Sequence, residues 1–189
     1  MLTSLLLLSA ALLAAAPQSA TQACDYDRAI LSLGFDAFDQ DMKGGWRALA
    51  SRPGCERKAA DVIRHYREKQ ESALRLLYWH EGQLRASTGD SVTAARLMEK
   101  SLLTSEDIIG WNAYADATIA FLQKDKAALV AARARLAPWP KPEDGQAEGL
   151  PADAAWPPNL DVVDGLIACF EMPYKLAYAS DCRDKSPKP

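Results

Sequence analysis

The sequence predicts an all-α fold in which the helices pack as antiparallel hairpins. Between residues 26 and 135 the apolar side chains recur at intervals of three and four, and almost no segment shows the alternation that a strand requires. Short turn signals interrupt this pattern, above all Pro53-Gly54 and Gly89-Asp90. Helices joined by such short turns lie side by side and antiparallel.

The N-terminus has the composition of a signal peptide. Residues 5–16 are an unbroken run of Leu, Ala and one Ser, about half the length needed to cross a bilayer. We therefore predict a signal peptide over residues 1–23, cleaved after Ala20 or Ala23, and a periplasmic or secreted mature chain. The alternative is a buried core helix, but no polar residue marks one face of the run.

The four cysteines predict two disulfides, because their number is even and an exported chain meets an oxidising compartment. Three pairings are possible. Loop closure favours near neighbours, which gives Cys24 with Cys55 and Cys169 with Cys182. Cleavage after Ala23 would place Cys24 first, as in a lipoprotein, but Thr21 and Gln22 depart from the lipobox pattern and make lipidation the minor alternative.

The charge of the chain argues against two classes of partner. The formal net charge is -3 and the sequence contains no basic run, which disfavours nucleic acid and an anionic membrane surface. No stretch after the signal peptide is long and apolar enough to span a membrane. The sequence predicts no metal and no cofactor, since no Cys-x-x-Cys, His-Glu-x-x-His, P-loop or dinucleotide fingerprint is present.

Residues 24–136 are predicted to form three helical hairpins. The first pair begins with a stripe from Ala29 to Phe38, breaks at Gly44-Gly45, and continues with a helix after Gly54. The central pair has one helix to about residue 87, a turn at 88–90 and a helix over 91–103 with Ser91 as N-cap. The third pair opens at residues 105–107 and runs over 108–123 and 125–136.

The last part of the chain is predicted to be a loop and a helical cap. Prolines exclude regular structure from residues 137–158, and the spaced Trp139 and Trp156 suggest that this loop is pinned. Residues 159–182 then form a helical pair, with Asn159 capping the first helix and Pro173 starting the second. A disulfide between the two would close the array. Residues 183–189 are predicted to be a disordered tail.

An internal repeat links the hairpins. Gly54, Ala59 and Ile63 recur 35 residues on as Gly89, Ala94 and Met98, and Tyr78, Gly82, Ala94, Met98 and Ser101 recur 33 residues on as Trp111, Ala115, Ala127, Ala131 and Ala134. These spacings bracket the period of about 34 of the tetratricopeptide repeat (TPR). The chain thus resembles a degenerate TPR protein, which implies a right-handed array of antiparallel hairpins. A plain helical bundle is the alternative.

The resemblance also implies a binding groove. In TPR arrays the first helix of each pair lines the concave face, which puts Trp79, Gln83, Asn112 and Asp116 there. Amide and carboxylate groups beside a tryptophan suit a protein or peptide partner. On this prediction Asn112→Ala and Asp116→Ala cost little stability, and Gly82→Leu costs more through overpacking. The alternative places Trp79 in the core and the polar groups in solvent.

A second functional reading is a small periplasmic enzyme. The chain has two histidines, His65 and His80, and His80 with a carboxylate such as Asp116 could form an acid-base pair. The simpler alternative is a hydrogen-bonded histidine within a helix interface. The sequence favours the scaffold over the enzyme and leaves the identity of the partner open.

Overall fold

The computed structural model describes residues 24–70, 75–105, 107, 109–142 and 154–184. All regular structure in these ranges is helical, which confirms the all-α class for this part of the chain. A 3-10 helix (Arg28–Ser32) and a π-helical turn (Asp36–Gln40) come first, followed by α1 (Gly45–Ala50), α2 (Glu56–Gln70), α3 (Arg75–Ser87), α4 (Ser91–Glu99), α5 (Trp111–Leu122), α6 (Lys126–Leu136), α7 (Leu160–Ala168), α8 (Tyr174–Ala177) and α9 (Ser180–Arg183). The predicted signal peptide, residues 143–153 of the proline-rich loop and the end of the tail lie outside the described residues.

The first predicted stripe forms two short turns rather than one helix, with Gly34 between them. Phe38 from the π-helical turn is fully buried and stacks on Tyr66 of α2, with 3.6 Å between the ring centroids. The break predicted at Gly44-Gly45 is confirmed, since α1 begins at Gly45 with φ +49°. A Cβ atom on Gly45 would lie 1.9 Å from the carbonyl oxygen of Phe38, so only glycine fits.

A residue with positive φ recurs every 35 residues in the turns before α2, α4 and α6. Gly54, Gly89 and Lys124 all have positive φ, at 79°, 87° and 60°. The hydrogen bond from the N–H of Asp90 to Arg85 O recurs 35 residues later as Asp125 to Ala120 O, both at 2.9 Å. The two aspartates also cap their helices, so the N-cap of α4 is Asp90 and not the predicted Ser91.

The predicted recurrence at 33 residues does not hold in α6. Ala94, Met98 and Ser101 are fully buried, whereas their supposed counterparts Ala127, Ala131 and Ala134 are exposed. The helix instead buries Leu129, Ala132 and Leu136. The reason is geometric: the turns repeat at 35 residues, and a shift of two residues rotates a helix face by about 200°. The TPR-like arrangement as such stays a prediction.

The small residue predicted between α3 and α4 is found in place. A Cβ atom on Gly82 would lie 2.9 Å from Met98 Cγ and 3.2 Å from the carbonyl oxygen of Ala94. Because the Ala94 oxygen belongs to the backbone, the two helices would have to separate to admit a larger side chain. Gly82 therefore sets the distance between α3 and α4.

The C-terminal part differs from the prediction in its caps and helix lengths. Asn159 precedes α7 with φ 62° and makes no side-chain capping bond, and Pro173 is the N-cap residue of the single-turn helix α8. One predicted helix is thus two short ones, α8 and α9. The two tryptophans of the proline-rich loop, which lie in its described ends, contact each other, because the indole N–H of Trp156 donates to Trp139 O at 2.8 Å.

Both predicted disulfides are present, Cys24 with Cys55 and Cys169 with Cys182. The first ties the N-terminal turns to the start of α2, and the second ties the end of α7 to α9. Because the sulfur of Cys24 is bonded to Cys55, it holds no thiol for a lipid, which argues against the lipoprotein alternative.

The core consists of two groups of buried side chains that meet at α3. The N-terminal cluster comprises Phe38, Trp46, Leu49, Cys55, Ala59, Val62, Ile63, Tyr66 and Leu77. The C-terminal cluster extends from α3 to α9 and includes Trp79, Met98, Tyr114, Phe121, Leu129, Leu136, Leu166, Phe170 and Tyr174. Leu77 and Trp79 lie two positions apart on α3 and face opposite clusters, as the helical period requires.

Candidate functional site

Trp79, predicted to line a binding groove, lies in the hydrophobic core. Its side chain is 3 % exposed, and its ring centroid is 5.0 Å from those of both Trp111 and Tyr114. A residue so enclosed cannot contact a partner while the fold is intact. The assignment of Trp79 to the groove is corrected accordingly, in favour of the core alternative.

Gln83 faces the chain's own C-terminal segment. Its amide donates to the hydroxyl of Tyr178 at 3.3 Å, and that hydroxyl is 3.5 Å from the hydroxyl of Tyr114. An ion pair of 2.6 Å between Lys175 and Glu56 fastens the same segment to the start of α2. The inner face, which we define as the side of α3 and α5 that carries Gln83 and Tyr114, is therefore covered.

Asn112 holds the connection that leads into α5. Its side-chain oxygen accepts from the N–H of Leu103 at 2.7 Å, and its amide donates to Leu103 O at 2.9 Å. Asp107, from the predicted start of this hairpin, accepts from the N–H groups of Trp111 and Asn112 at 2.7 Å each. Asn112 therefore stabilises the connection between α4 and α5, and its amide group is already hydrogen-bonded within the chain.

Asp116 lies on the opposite side of α5 from Tyr114 and is open to solvent. Its carboxylate accepts from Arg135 of α6 at 2.6 Å, with 44 % and 54 % of the two side chains exposed. Asp116 also lines an open concavity. The structure therefore does not bring the four residues together on one surface.

That concavity is part of a groove between α4, α5 and α6. Two adjoining pockets of about 280 and 360 Å³ share Gln123. We call them together the α4–α6 groove, which is lined by Ser91, Val92, Ala95, Arg96, Glu99, Asp116, Ile119, Ala120, Leu122, Gln123, Ala128, Ala131 and Arg135. Its floor is apolar, because Ala95, Ile119 and Ala120 are nearly buried, and Val92 on its rim is 66 % exposed.

The charged groups of the α4–α6 groove leave contacts for a partner. Asp116 and Arg135 form an exposed pair at one end. Within the part of the chain that the structure describes, Arg96 and Glu99 on α4 form no ion pair. A small-residue floor lets another backbone approach closely, while the charges at the rim can fix its orientation.

His80 pairs with a carboxylate, but not with Asp116. Its Nδ1 is 2.7 Å from Oδ1 of Asp39, which lies in the π-helical turn and is fully buried. The indole N–H of Trp46 donates to the same oxygen at 2.8 Å, and the Gln40 amide donates to the other. The predicted acid-base pair is thus revised: the carboxylate beside His80 is that of Asp39 and not that of Asp116.

The environment of Asp39 favours its ionised form. Burial by itself raises the pKa of this carboxyl. The hydrogen bonds and charge of His80, the Trp46 indole and the nearby Arg47 outweigh burial and hold the pKa of Asp39 below its usual range. Among the described residues no group of three or more His, Cys, Asp or Glu side chains could hold a metal ion.

A second buried charge stands next to His80 in the sequence. Glu81 is 2 % exposed and bonds to Arg67 of α2 and, at 3.3 Å, to Arg85 one turn along α3. Arg85 also reaches Asp61 at 2.7 Å. These four groups tie α2 to α3, so we assign them to the fold, although the Nε–H groups of Arg67 and Arg85 have no acceptor among the described residues.

The sequence contains one indication that Asp39 has a charged or hydrogen-bonded partner. It directly follows the apolar Phe38 in a stripe that is expected to face the core, so a charge there must be paired. The partner cannot be found in this way, since His80 is 41 residues away and on another element. Only the packing of the N-terminal turns on α3 brings the two together.

Within the described residues, the fold is all-α with two disulfides, a covered inner face, an open groove and the pair of His80 with the buried Asp39. Comparison of the chain with protein-family models, with curated proteins and with solved structures found no match. Within the described ranges, none of the helices has the length and apolar character needed to cross a membrane.

Proposed function

We propose that the chain is an exported, periplasmic scaffold that binds a protein or peptide partner in the α4–α6 groove. The observation that carries this proposal is the contrast between the two sides of α5. The inner face is covered by Tyr178, whereas the opposite side forms an open groove with an apolar floor. An apolar concavity with unpaired charges at its rim is a common form of interaction surface.

Export is supported by the cysteines and by the N-terminal sequence. All four cysteines are used in disulfides, which persist in oxidising compartments. The apolar run at residues 5–16 has the length of a signal-peptide h-region. Together they favour a chain that is cleaved and folds outside the cytoplasm.

A TPR-like array is supported by the turns that repeat every 35 residues. Stacked hairpins with a common turn present successive helices in register, which produces extended concave surfaces. In this chain the cap α7–α9 covers the usual concave side. We therefore place the partner on the other side, where α4, α5 and α6 stand next to one another.

The lining of the α4–α6 groove suggests what the partner presents. Small lining residues, such as Ala120 in the floor and the exposed Ala128, admit a backbone or a branched apolar side chain. The exposed amide of Gln123, which belongs to both pockets, can bond to a peptide group through its oxygen and its nitrogen. Arg96 and Glu99 favour a partner segment that carries both signs of charge.

Site-specific photo-crosslinking tests the proposal. A crosslinking residue at Gln123 should capture a partner in the envelope of the native cell, and Val92→Asp in the same chain should abolish the adduct by charging the groove rim. Val130→Asp is the matched control, because Val130 is 46 % exposed on α6 but does not line the groove. Circular dichroism should show both variants folded.

Two results would contradict this function. A crosslinked product that forms equally in the Val92→Asp and Val130→Asp variants would show that capture does not use the groove. A crosslinking residue at His65, on the exposed side of α2, provides the background level. If Gln123 gave no more product than His65, the groove would not be the binding surface.

A further inference from the structure

We propose that Nε2 of His80 is a nucleophilic site for activated acyl groups, with Asp39 as its positioning residue. This goes beyond the scaffold function and is independent of it, because His80 does not line the α4–α6 groove. The substrate class is an acyl donor with a good leaving group, such as an activated ester. Three features of the pair carry the inference: a fixed tautomer, an unpaired ring nitrogen and a buried counter-charge.

The tautomer follows from the hydrogen bonds at Asp39. An indole N–H can only donate, so Oδ1 of Asp39 is an acceptor towards Trp46. The amide of Gln40 likewise donates to Oδ2, and two donors aimed at the carboxyl group favour its ionised form. The 2.7 Å contact to His80 must then be a donation from Nδ1–H. Neutral His80 therefore carries its lone pair on Nε2.

Nε2 is free to react, and the ring is held in place. In the described part of the chain this nitrogen has no hydrogen-bond partner, and the side chain of His80 is 12 % exposed. The ring packs against Trp46, at 5.3 Å between centroids and with 42° between planes. A ring fixed on one side by a carboxylate and on another by an indole loses little freedom when it reacts.

The chemistry balances with water as the only further reactant. The lone pair of Nε2 attacks the carbonyl carbon of the donor, and the bond from that carbon to the leaving oxygen breaks, with the electron pair departing on the oxygen. The acylated ring is then a cation, whose charge the carboxylate of Asp39 offsets without screening by solvent. Water attacks the acyl carbon and the bond from that carbon to Nε2 breaks, which releases the carboxylic acid and returns neutral His80. The second proton of the water protonates the oxygen of the leaving group.

The protein contains its own control. His65 is the second histidine of the chain, lies exposed on α2 and has no hydrogen-bonded carboxylate among the described contacts. Exposure alone predicts that His65 reacts faster than the largely buried His80. The proposal predicts the reverse order, because only His80 has a fixed tautomer and a counter-charge.

The first test uses the unaltered mature protein. It is treated with a small amount of diethyl pyrocarbonate, an activated acyl donor, and the peptides are quantified by mass spectrometry over time. We expect His80 to be acylated faster than His65. Equal rates, or faster acylation of His65, would overturn the proposal, and no variant has to fold for this result to count.

The second test measures turnover of p-nitrophenyl acetate. His80→Gln should lower the protein-dependent rate by roughly a hundredfold or more, the lower end of what a positioned acid-base group contributes, whereas the matched His65→Gln should leave it unchanged. If both variants kept the wild-type rate, the reactivity would not reside at Nε2 of His80. Failure here would leave the crosslinking result at Gln123 unaffected, so the two proposals can be judged separately.

A third test isolates the role of Asp39. In Asp39→Asn the new amide can donate to Nδ1, which moves the proton of the ring to Nε2 and removes the nucleophilic lone pair. Nitrogen-15 NMR of the ring should show Nδ1 protonated in the wild type and Nε2 protonated in the variant, together with a slower acylation of His80. A wild-type spectrum with the proton on Nε2 would refute the proposed tautomer directly.

Discussion

The N-terminal and C-terminal clusters bury polar groups in different ways. Around the N-terminal cluster the buried polar groups are charged, namely Asp39, Glu81 and Arg85, and each of the two carboxylates has two or more donors. In the C-terminal cluster they are neutral hydroxyls, such as those of Thr118 and Tyr174. The Thr118 hydroxyl donates to Tyr114 O at 3.1 Å, whereas the Tyr174 hydroxyl has no hydrogen bond of good geometry in the described part of the chain, although the Gln83 side chain lies beside it.

The difference indicates what each half depends on. A buried charge is tolerated only with its partners, so the arrangement of α2, α3 and the N-terminal turns is tied to a few specific pairs. A buried phenol without a hydrogen bond costs less and is held by the aromatic contacts around it. The N-terminal half should therefore be sensitive to single polar substitutions, and the C-terminal half to changes of volume.

The largest expected effect is that of Glu81→Gln. It removes the counter-charge of the Arg67 guanidinium and one of the two carboxylates at Arg85, which keeps Asp61, and breaking a buried pair costs roughly 3–5 kcal/mol. Urea unfolding measures the loss. In the C-terminal cluster the matched change is Tyr174→Phe, which removes an unpaired hydroxyl and should leave the free energy of unfolding unchanged or raise it. Equal losses in the two variants would refute the contrast between the clusters.

The disulfides provide the next comparison. Cys24 and Cys55 are 31 residues apart and Cys169 and Cys182 are 13 apart. Loop closure then predicts losses of roughly 3.7 kcal/mol for the Cys24→Ala, Cys55→Ala double variant and roughly 3 kcal/mol for the Cys169→Ala, Cys182→Ala double variant. Urea titrations of both should rank them in this order. The opposite order would mean that packing at the C-terminal bridge, and not loop length, decides its contribution.

The two clusters should also differ in pH dependence. The pKa of Asp39 is lowered in the fold, so its stabilising contribution is complete above about pH 4, the range of an unfolded Asp, and is lost as the pH falls through the folded value. Burial raises the pKa of Tyr114 and of Tyr174, so their contribution is present below about pH 10 and is lost as the pH rises further.

Urea unfolding as a function of pH measures the loss of stability at low pH, which we call the acid limb, and the loss at high pH, which we call the alkaline limb. Asp39→Asn should flatten the acid limb and reduce the alkaline limb only slightly, because burial and the Asp39 charge together raise the pKa of Tyr66 and burial remains in the variant. Tyr174→Phe should weaken only the alkaline limb. The result that would contradict this picture is an acid limb of unchanged slope in Asp39→Asn, which would assign the acid sensitivity to other carboxylates.

The sequence predicted local features well, because they depend on neighbouring residues. Helical periodicity, the turn at Gly89, the break at Gly45 and the pairing of Cys24 with Cys55 all follow from short-range rules. The turn at Lys124 was missed as a repeat position, since a lysine with positive φ gives no signal in the sequence. The 33-residue register of α6 was wrong for this reason.

The sites depended on contacts over long distances and were predicted less well. A groove read from the TPR resemblance assumes an open inner face, but Tyr178 of the C-terminal segment lies on it, 95 residues from Gln83. The resemblance contains no information on how α8 folds back. The pairing of His80 with Asp39 is also long-range and follows only from the packing of the N-terminal turns.

The smallest effects are expected at the two polar residues of α5. From the sequence, Asn112→Ala and Asp116→Ala both appeared as changes at an exposed surface. In the structure Asn112 is half-buried and bonds to both backbone groups of Leu103, so its truncation leaves a donor and an acceptor unpaired and should cost roughly 1–2 kcal/mol. Asp116 loses only an exposed ion pair with Arg135, which contributes about 0.5 kcal/mol or less.

Urea unfolding of the two variants separates these cases, with Arg135→Ala as the control for the ion pair. Asp116→Ala and Arg135→Ala should cost the same small amount, because each removes the same contact. Asn112→Ala should cost more than either and should loosen the connection before α5, which hydrogen exchange at the N–H of Leu103 reports. If Asn112→Ala cost no more than Asp116→Ala, its bonds to Leu103 would not stabilise the fold. Asn112 would then again be free to serve a partner.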